Sequence, residues 1–159
     1  MNARFRWMFG LLILVAFAAG ASRLSSRERS APPAQKTSSA PAQQSQIERG
    51  RYLVENVAMC QECHTPRDAS GEIDKSRWLQ GAATWIMPVH PTTKWAMRAP
   101  ALAGFQGYTE EQGEEILERG IGPNGLPIQP PMHIYHMNHA DAQAIIAYLR
   151  SLPGSYPQQ

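Results

Sequence analysis

At 159 residues, 43% hydrophobic and 18% charged, the chain has room for one folded domain with some chain left over. Its formal net charge of +2 hides a split at residue 45: the first 45 residues carry six Lys or Arg against one Glu, and the remaining 114 carry nine against twelve Asp or Glu. The larger part is therefore mildly acidic and has no Lys/Arg cluster interleaved with aromatics, so no nucleic-acid partner is expected.

Arg4 and Arg6 precede the uncharged run Trp7 to Ala21, WMFGLLILVAFAAGA, which is short for a bilayer span and has no polar side. Residues 1–21 read as an export signal, cut before Ser22 after the small residues Ala19, Gly20 and Ala21, or retained as an N-terminal membrane anchor. Either outcome delivers the domain to the periplasm or the outer face of the cytoplasmic membrane. Residues 22–45 are rich in Pro, Ser, Ala and Gln and poor in large apolar side chains, the composition of a disordered tether.

The folded domain is expected over residues 46–154, with 155–159 as a short tail. Ser45-Gln46-Ile47-Glu48 has the form of a capping box and predicts a helix to about Ala58, with Ile47, Gly50, Val54 and Val57 on one face. At its end stands Cys60-Gln61-Glu62-Cys63-His64, which holds both cysteines of the chain. Two thiols at this spacing can add to the two vinyl groups of one haem, and the adjacent His64 can then coordinate the iron. Other uses fit less well. A redox dithiol belongs after a strand in a βαβ unit, structural zinc needs a second ligand pair, and a disulfide across two residues closes too small a loop to stabilise much.

Residues 65 to 108 follow as a long connection punctuated by Pro and Gly. A segment of this kind in a small domain is expected to wrap something, and three short helices bury too little apolar area to hold the domain alone. A covalently held haem answers both needs. Thr109-Glu110-Glu111-Gln112 opens a second helix, with Gly113, Ile116, Leu117 and Gly120 inward. Met132 follows Pro130-Pro131 and is the leading sixth iron ligand; Met137, His133 and His136 are the alternatives, and Met59, Met87 and Met97 read as gap-filling core or loop residues. A third helix starts near Asn138, with Asp141 at its third position, and ends at Pro153-Gly154. No strand is expected.

Residues 46 to 154 resemble a class I c-type cytochrome: ERGRYLVENVAMCQECHTPRD in the first helix, a middle helix after GYTEEQ, and the closing GIGPNGLPIQPPMHIYHMNHADAQAIIAYLRSLPG. The closing elements, Pro-Met, Tyr and Ala-Tyr-Leu-Arg-Ser-Leu-Pro, are similar to those of cytochrome subunits of bacterial membrane-bound alcohol and sugar-acid dehydrogenases. The resemblance implies an all-α fold of three main helices with long loops around one haem c. It implies thioether attachment at Cys60 and Cys63 and axial ligation by His64 and Met132, and a close crossing of the first helix at Gly50 over the last near Tyr148. Arg98, Trp95 and Tyr108 are the available donors to a haem propionate. The sequence departs from that pattern in placing His133, where relatives often have Pro, after the methionine.

The expected function is electron carriage rather than catalysis. A haem held by imidazole and thioether suits transfer between a dehydrogenase or respiratory complex and an oxidase. Two alternatives stand beside it: a haem enzyme or sensor with an open sixth position, and a permanently docked haem subunit with an apolar patch at Trp78, Trp85, Ile86 and Met87.

Overall fold

The computed structural model describes residues 40–154. The expected signal or anchor at 1–21, most of the tether and the tail at 155–159 lie outside the described residues.

The first helix, α1, spans Ala40–Tyr52 and so begins five residues before the expected cap. Ala40, Ala42, Gln43 and Gln44 are good helix formers, and Pro41 sits in the first turn, where its missing N–H is no loss. Ser45 is therefore inside the helix, and its hydroxyl donates back to the Ala42 carbonyl at 2.9 Å. Glu48 accepts from Gln44 at 3.2 Å instead of reaching back to Ser45. The capping box read from the sequence does not form.

The chain then widens into one π turn, Leu53–Val57. Ala58 N–H donates to Leu53 O at 2.8 Å, and Cys60 N–H to Val54 O at 3.0 Å. Such turns gather at functional sites because they re-aim the residues that follow. Met59, at φ 48°, completes the change of direction into the single-turn helix α2, Gln61–His64.

The longer helices beyond are α3, Glu110–Arg119, and α4, His139–Ser151. Both start as expected. Thr109 and Gln112 form a reciprocal capping box, and the Asn138 side chain accepts from Asp141 N–H at 3.0 Å. Helix α3 ends at Gly120 in the left-handed region, φ 69°, where a side chain would be strained and would meet Ile134.

Helices α1 and α4 make the principal contact of the fold. Gly50 is its centre: a Cβ placed there would lie 2.8 Å from Cβ of Tyr148 and closer still to the Ala144 carbonyl. The absent side chain lets the two backbones touch, as the resemblance implied. Around this crossing Leu53, Val54, Ile145, Tyr148 and Leu149 are buried, and α3 adds Leu117 from the other side of α4. Arg49 pairs with both oxygens of Asp141 at 2.9 and 3.1 Å, and Tyr148 donates to Glu55 at 2.7 Å.

The connection from 65 to 108 is well organised without being regular. The Asp68 and Asp74 carboxylates accept local N–H and hydroxyl donors, and Lys75–Arg77 and Ala103–Phe105 form single 3-10 turns. Ala82–Ala83 pairs antiparallel with Arg98–Ala99, which corrects the expectation of no strand. Two residues per strand are too few to produce a readable alternation. The architecture is otherwise all-α, with long loops between the helices.

Candidate haem site

The α2 turn brings Cys60, Cys63 and His64 together because their backbone is locally hydrogen-bonded, with His64 N–H donating to Cys60 O at 3.0 Å. All three line a cavity of about 450 Å³. Met132 lines the same cavity, which brings the four sequence-derived candidates to one place from the α2 turn and a loop far from it in the chain. The remaining wall is largely apolar, including Leu102, Phe105, Ile116, Leu117, Ile145 and Leu149. A cavity with apolar sides and a few polar groups at fixed points is suited to a planar cofactor.

His64 is buried, and its Nδ1 lies 2.8 Å from the Pro100 carbonyl oxygen. A carbonyl only accepts, so Nδ1 carries the proton and Nε2 keeps its lone pair for a metal. Burial lowers the His64 pKa, and the Pro100 carbonyl opposes that shift. The neutral imidazole is thus the resident form. Pro100 itself is placed by the loop that includes strand Arg98–Ala99, and the His64 carbonyl accepts from Gly81 N–H at 2.8 Å. The 65–108 connection thereby fixes the orientation of the histidine.

The cysteines are unbridged. Burial pushes the Cys60 thiol up to about 11 and raises that of Cys63. Among the described residues, no three or more His, Cys, Asp or Glu side chains converge as a metal-binding group.

Of the alternative sixth ligands, His133 lines the cavity and packs against Tyr135 with the rings tilted by 51° and their centroids 4.2 Å apart; Met137 and His136 are not in its wall. Met137 instead packs against the core, as expected of a residue beside the α4 cap. Met59 lines the cavity, and Met87 and Met97 are exposed loop residues. Arg98 and Tyr108 line the cavity, but Trp95 does not, and its indole N–H is engaged by the Ile86 carbonyl at 3.2 Å.

Two functional contacts escaped the sequence reading. Trp85 Nε1 donates to the carbonyl of Glu62, between the cysteines, at 2.9 Å; the Arg67 guanidinium stands 4.6 Å over the Trp85 ring and bonds the Glu62 carboxylate at 2.7 Å. This three-residue brace holds the outer side of the attachment turn. Residues 23 positions apart offer no spacing signal that could reveal it. The apolar patch expected at Trp78, Trp85, Ile86 and Met87 is divided: Trp78 packs on the core and Ile86 lines the cavity, while Trp85 and Met87 are exposed. The other missed contact is the Tyr135 phenol, which donates to Ala58 O at 3.0 Å.

An all-α domain whose Cys-x-x-Cys-His turn faces an apolar cavity defines a covalently attached haem protein. The sequence profile described as Cytochrome c matches residues 47–153, and the chain belongs to that family. It is an electron-transfer domain with one covalently bound haem c. The chain is 68% identical over 115 residues to a protein named "Diheme cytochrome c-type" from Cereibacter sphaeroides, covering 67% of this chain and 35% of that one. It is 32% identical to the fructose dehydrogenase cytochrome subunit of Gluconobacter japonicus, covering 66% of this chain and 22% of that one. It is 28% identical to the gluconate 2-dehydrogenase cytochrome c subunit of Pantoea cypripedii, covering 67% and 26% respectively. The chain thus spans between about a fifth and about a third of the length of these relatives.

Proposed function

We propose that this chain is an exported, single-haem electron carrier whose haem c is joined to Cys60 and Cys63 and ligated by His64 and Met132. The observation that carries the reading is the 2.8 Å bond from His64 Nδ1 to Pro100 O, on a histidine that shares one cavity with both cysteines and Met132. It leaves a neutral nitrogen lone pair available within an apolar pocket, the form an iron ligand requires.

The chemistry that haem supplies is a reversible one-electron couple, which thioether ligation raises in potential. The chain does the rest. Leu117, Ile145 and Leu149 exclude water from the pocket, and Arg98 and Tyr108 offer donors to the propionates. The attachment turn, flanked by exposed Met59 and Trp85, is the surface where a redox partner docks in a small, short-lived interface. The naming of two relatives as cytochrome subunits of fructose and gluconate dehydrogenases favours a sugar- or sugar-acid-oxidising dehydrogenase as electron donor and a respiratory complex or oxidase as acceptor.

No helix among the described residues is long and apolar enough to cross a membrane. Location therefore rests on residues 1–21, read as a signal or an anchor that puts the carrier in the periplasm or on the outer face of the membrane. Cell fractionation with the mass of the mature chain tests this: a soluble chain starting at Ser22, or a membrane-bound full-length chain, agrees, and a cytoplasmic chain without haem contradicts it. For the ligands, redox titration of Met132→Ala is expected to move the midpoint downward within the roughly 0.8 V that axial ligands control. An unchanged midpoint would remove Met132 from the iron.

A further inference from the structure

Met132 sits in the segment between α3 and α4, which contains no regular element. Among the described residues, several hydrogen bonds tie the segment to the rest of the fold. Ile121 N–H donates to Glu115 O at 3.2 Å and Met137 N–H to Leu117 O at 3.1 Å, fastening its two ends to α3. Ala96 N–H donates to Pro130 O at 2.7 Å, fastening it to the 65–108 connection. Among the described residues a side-chain bond reaches further: the Tyr135 hydroxyl donates to Ala58 O at 3.0 Å, across 77 positions of sequence.

Ala58 closes the π turn immediately before Met59 and Cys60, and its carbonyl belongs to the unpaired set that every helix end leaves. Tyr135 thus joins the methionine segment directly to the cysteine segment. Its ring lines the cavity and carries the His133 ring on one side, so it also braces the residue next to Met132. The phenol is three residues from Met132 and touches the segment that holds the other side of the cofactor. Few positions could couple the two so closely.

We propose that Tyr135 is a positioning residue for the sixth ligand: its bond to Ala58 O holds the segment closed and sets how rarely Met132 leaves the iron. The proposal rests on the assignment of Met132 as ligand. Opening the segment breaks this bond while α3, α4 and their caps persist, so its loss affects ligand release beyond any effect on global stability.

The test is stopped-flow binding of imidazole to the oxidised holoprotein. At saturating imidazole the observed rate levels off at the rate of methionine release. A net hydrogen bond corresponds to about three- to tenfold in an equilibrium, so Tyr135→Phe is expected to raise the plateau about three- to tenfold. The sulfur-to-iron charge-transfer band is expected to remain. Tyr148→Phe is the control, because it also removes a phenol hydrogen bond, here to the Glu55 carboxylate at 2.7 Å, outside the cavity wall. It is expected to lower the unfolding midpoint and leave the plateau unchanged. A wild-type plateau in Tyr135→Phe, or an equal rise in Tyr148→Phe, overturns the proposal. If wild-type protein lacks the charge-transfer band, or Met132→Ala retains it, the ligand assignment has failed first and the latch fails with it. A band present in wild type, lost in Met132→Ala and unaltered in release rate by Tyr135→Phe assigns the failure to Tyr135 alone.

Discussion

Gly50 places the strictest demand on a single position. Any Cβ there meets the Ala144 carbonyl and Tyr148 Cβ, both parts of the α1–α4 crossing that cannot swing aside as a flexible side-chain end could. Gly50→Ala is therefore expected to destabilise the protein by about 1–3 kcal/mol, the usual cost of overpacking. Equilibrium denaturant unfolding of the holoprotein measures it, and a midpoint equal to wild type would show that the helices can separate without loss. The haem-attachment motif was legible at this scale because Cys60, Cys63 and His64 stand within five residues, whereas Met132 is singled out only by its place after Pro130-Pro131. The partners that orient them were not. Pro100, Trp85 and Tyr135 meet their targets across 36, 23 and 77 positions, and only the folded loops bring them there.

Among the elements, α4 has the clearest physical account. Asn138 caps it, Asp141 supplies negative charge in its first turn, and Arg49 of α1 binds that carboxylate. Asn138→Ala is expected to cost about 1 kcal/mol, read from the same unfolding experiment; no change would mean that packing alone positions the helix start. The Arg49 hydrogen bond, with Asn138 assisting, holds the Asp141 pKa below its ordinary value. A carboxylate depressed in the folded state binds protons more readily when unfolded. Its contribution is thus present above the unfolded pKa of about 3.9 and lost as pH falls through the lower folded value. Denaturant midpoints of wild type and Asp141→Asn are expected to converge as pH drops from 6 towards 2. A constant gap would show that the carboxylate charge is irrelevant. The caps of α3 and α4 could be read from the sequence because each is local to four residues. The start of α1 could not, since Ser45-x-x-Glu48 satisfies the same pattern from inside a helix, where Ser45 bonds backward to Ala42.

For the molecule as a whole, the cofactor is part of the core. Apolar residues from α3, α4 and two loops, Leu117, Ile145, Leu149, Leu102 and Phe105 among them, pack in the core and also line a common cavity. Filling it with a large covalently fixed ring buries these surfaces together, and a ligand that binds only the folded state stabilises that state. The double variant Cys60→Ser, Cys63→Ser is accordingly expected to lose its cooperative unfolding transition, followed by circular dichroism. A sharp transition near the wild-type midpoint would show that the helices suffice. Long loops rich in Pro and Gly announced the need for such a group, although the sequence did not indicate how ordered they are around it. The paired strands at Ala82–Ala83 and Arg98–Ala99 are part of that order and serve to carry Pro100 to His64.

The central claim, a carrier haem closed on both faces by His64 and Met132, is tested most directly by the visible spectrum of the holoprotein, oxidised and reduced, with and without carbon monoxide. The account predicts low-spin haem in both states, a weak sulfur-to-iron charge-transfer band in the oxidised form, and no change on adding carbon monoxide. A high-spin reduced form that takes up carbon monoxide at once would contradict it, leaving an open sixth position and a haem built for ligand chemistry.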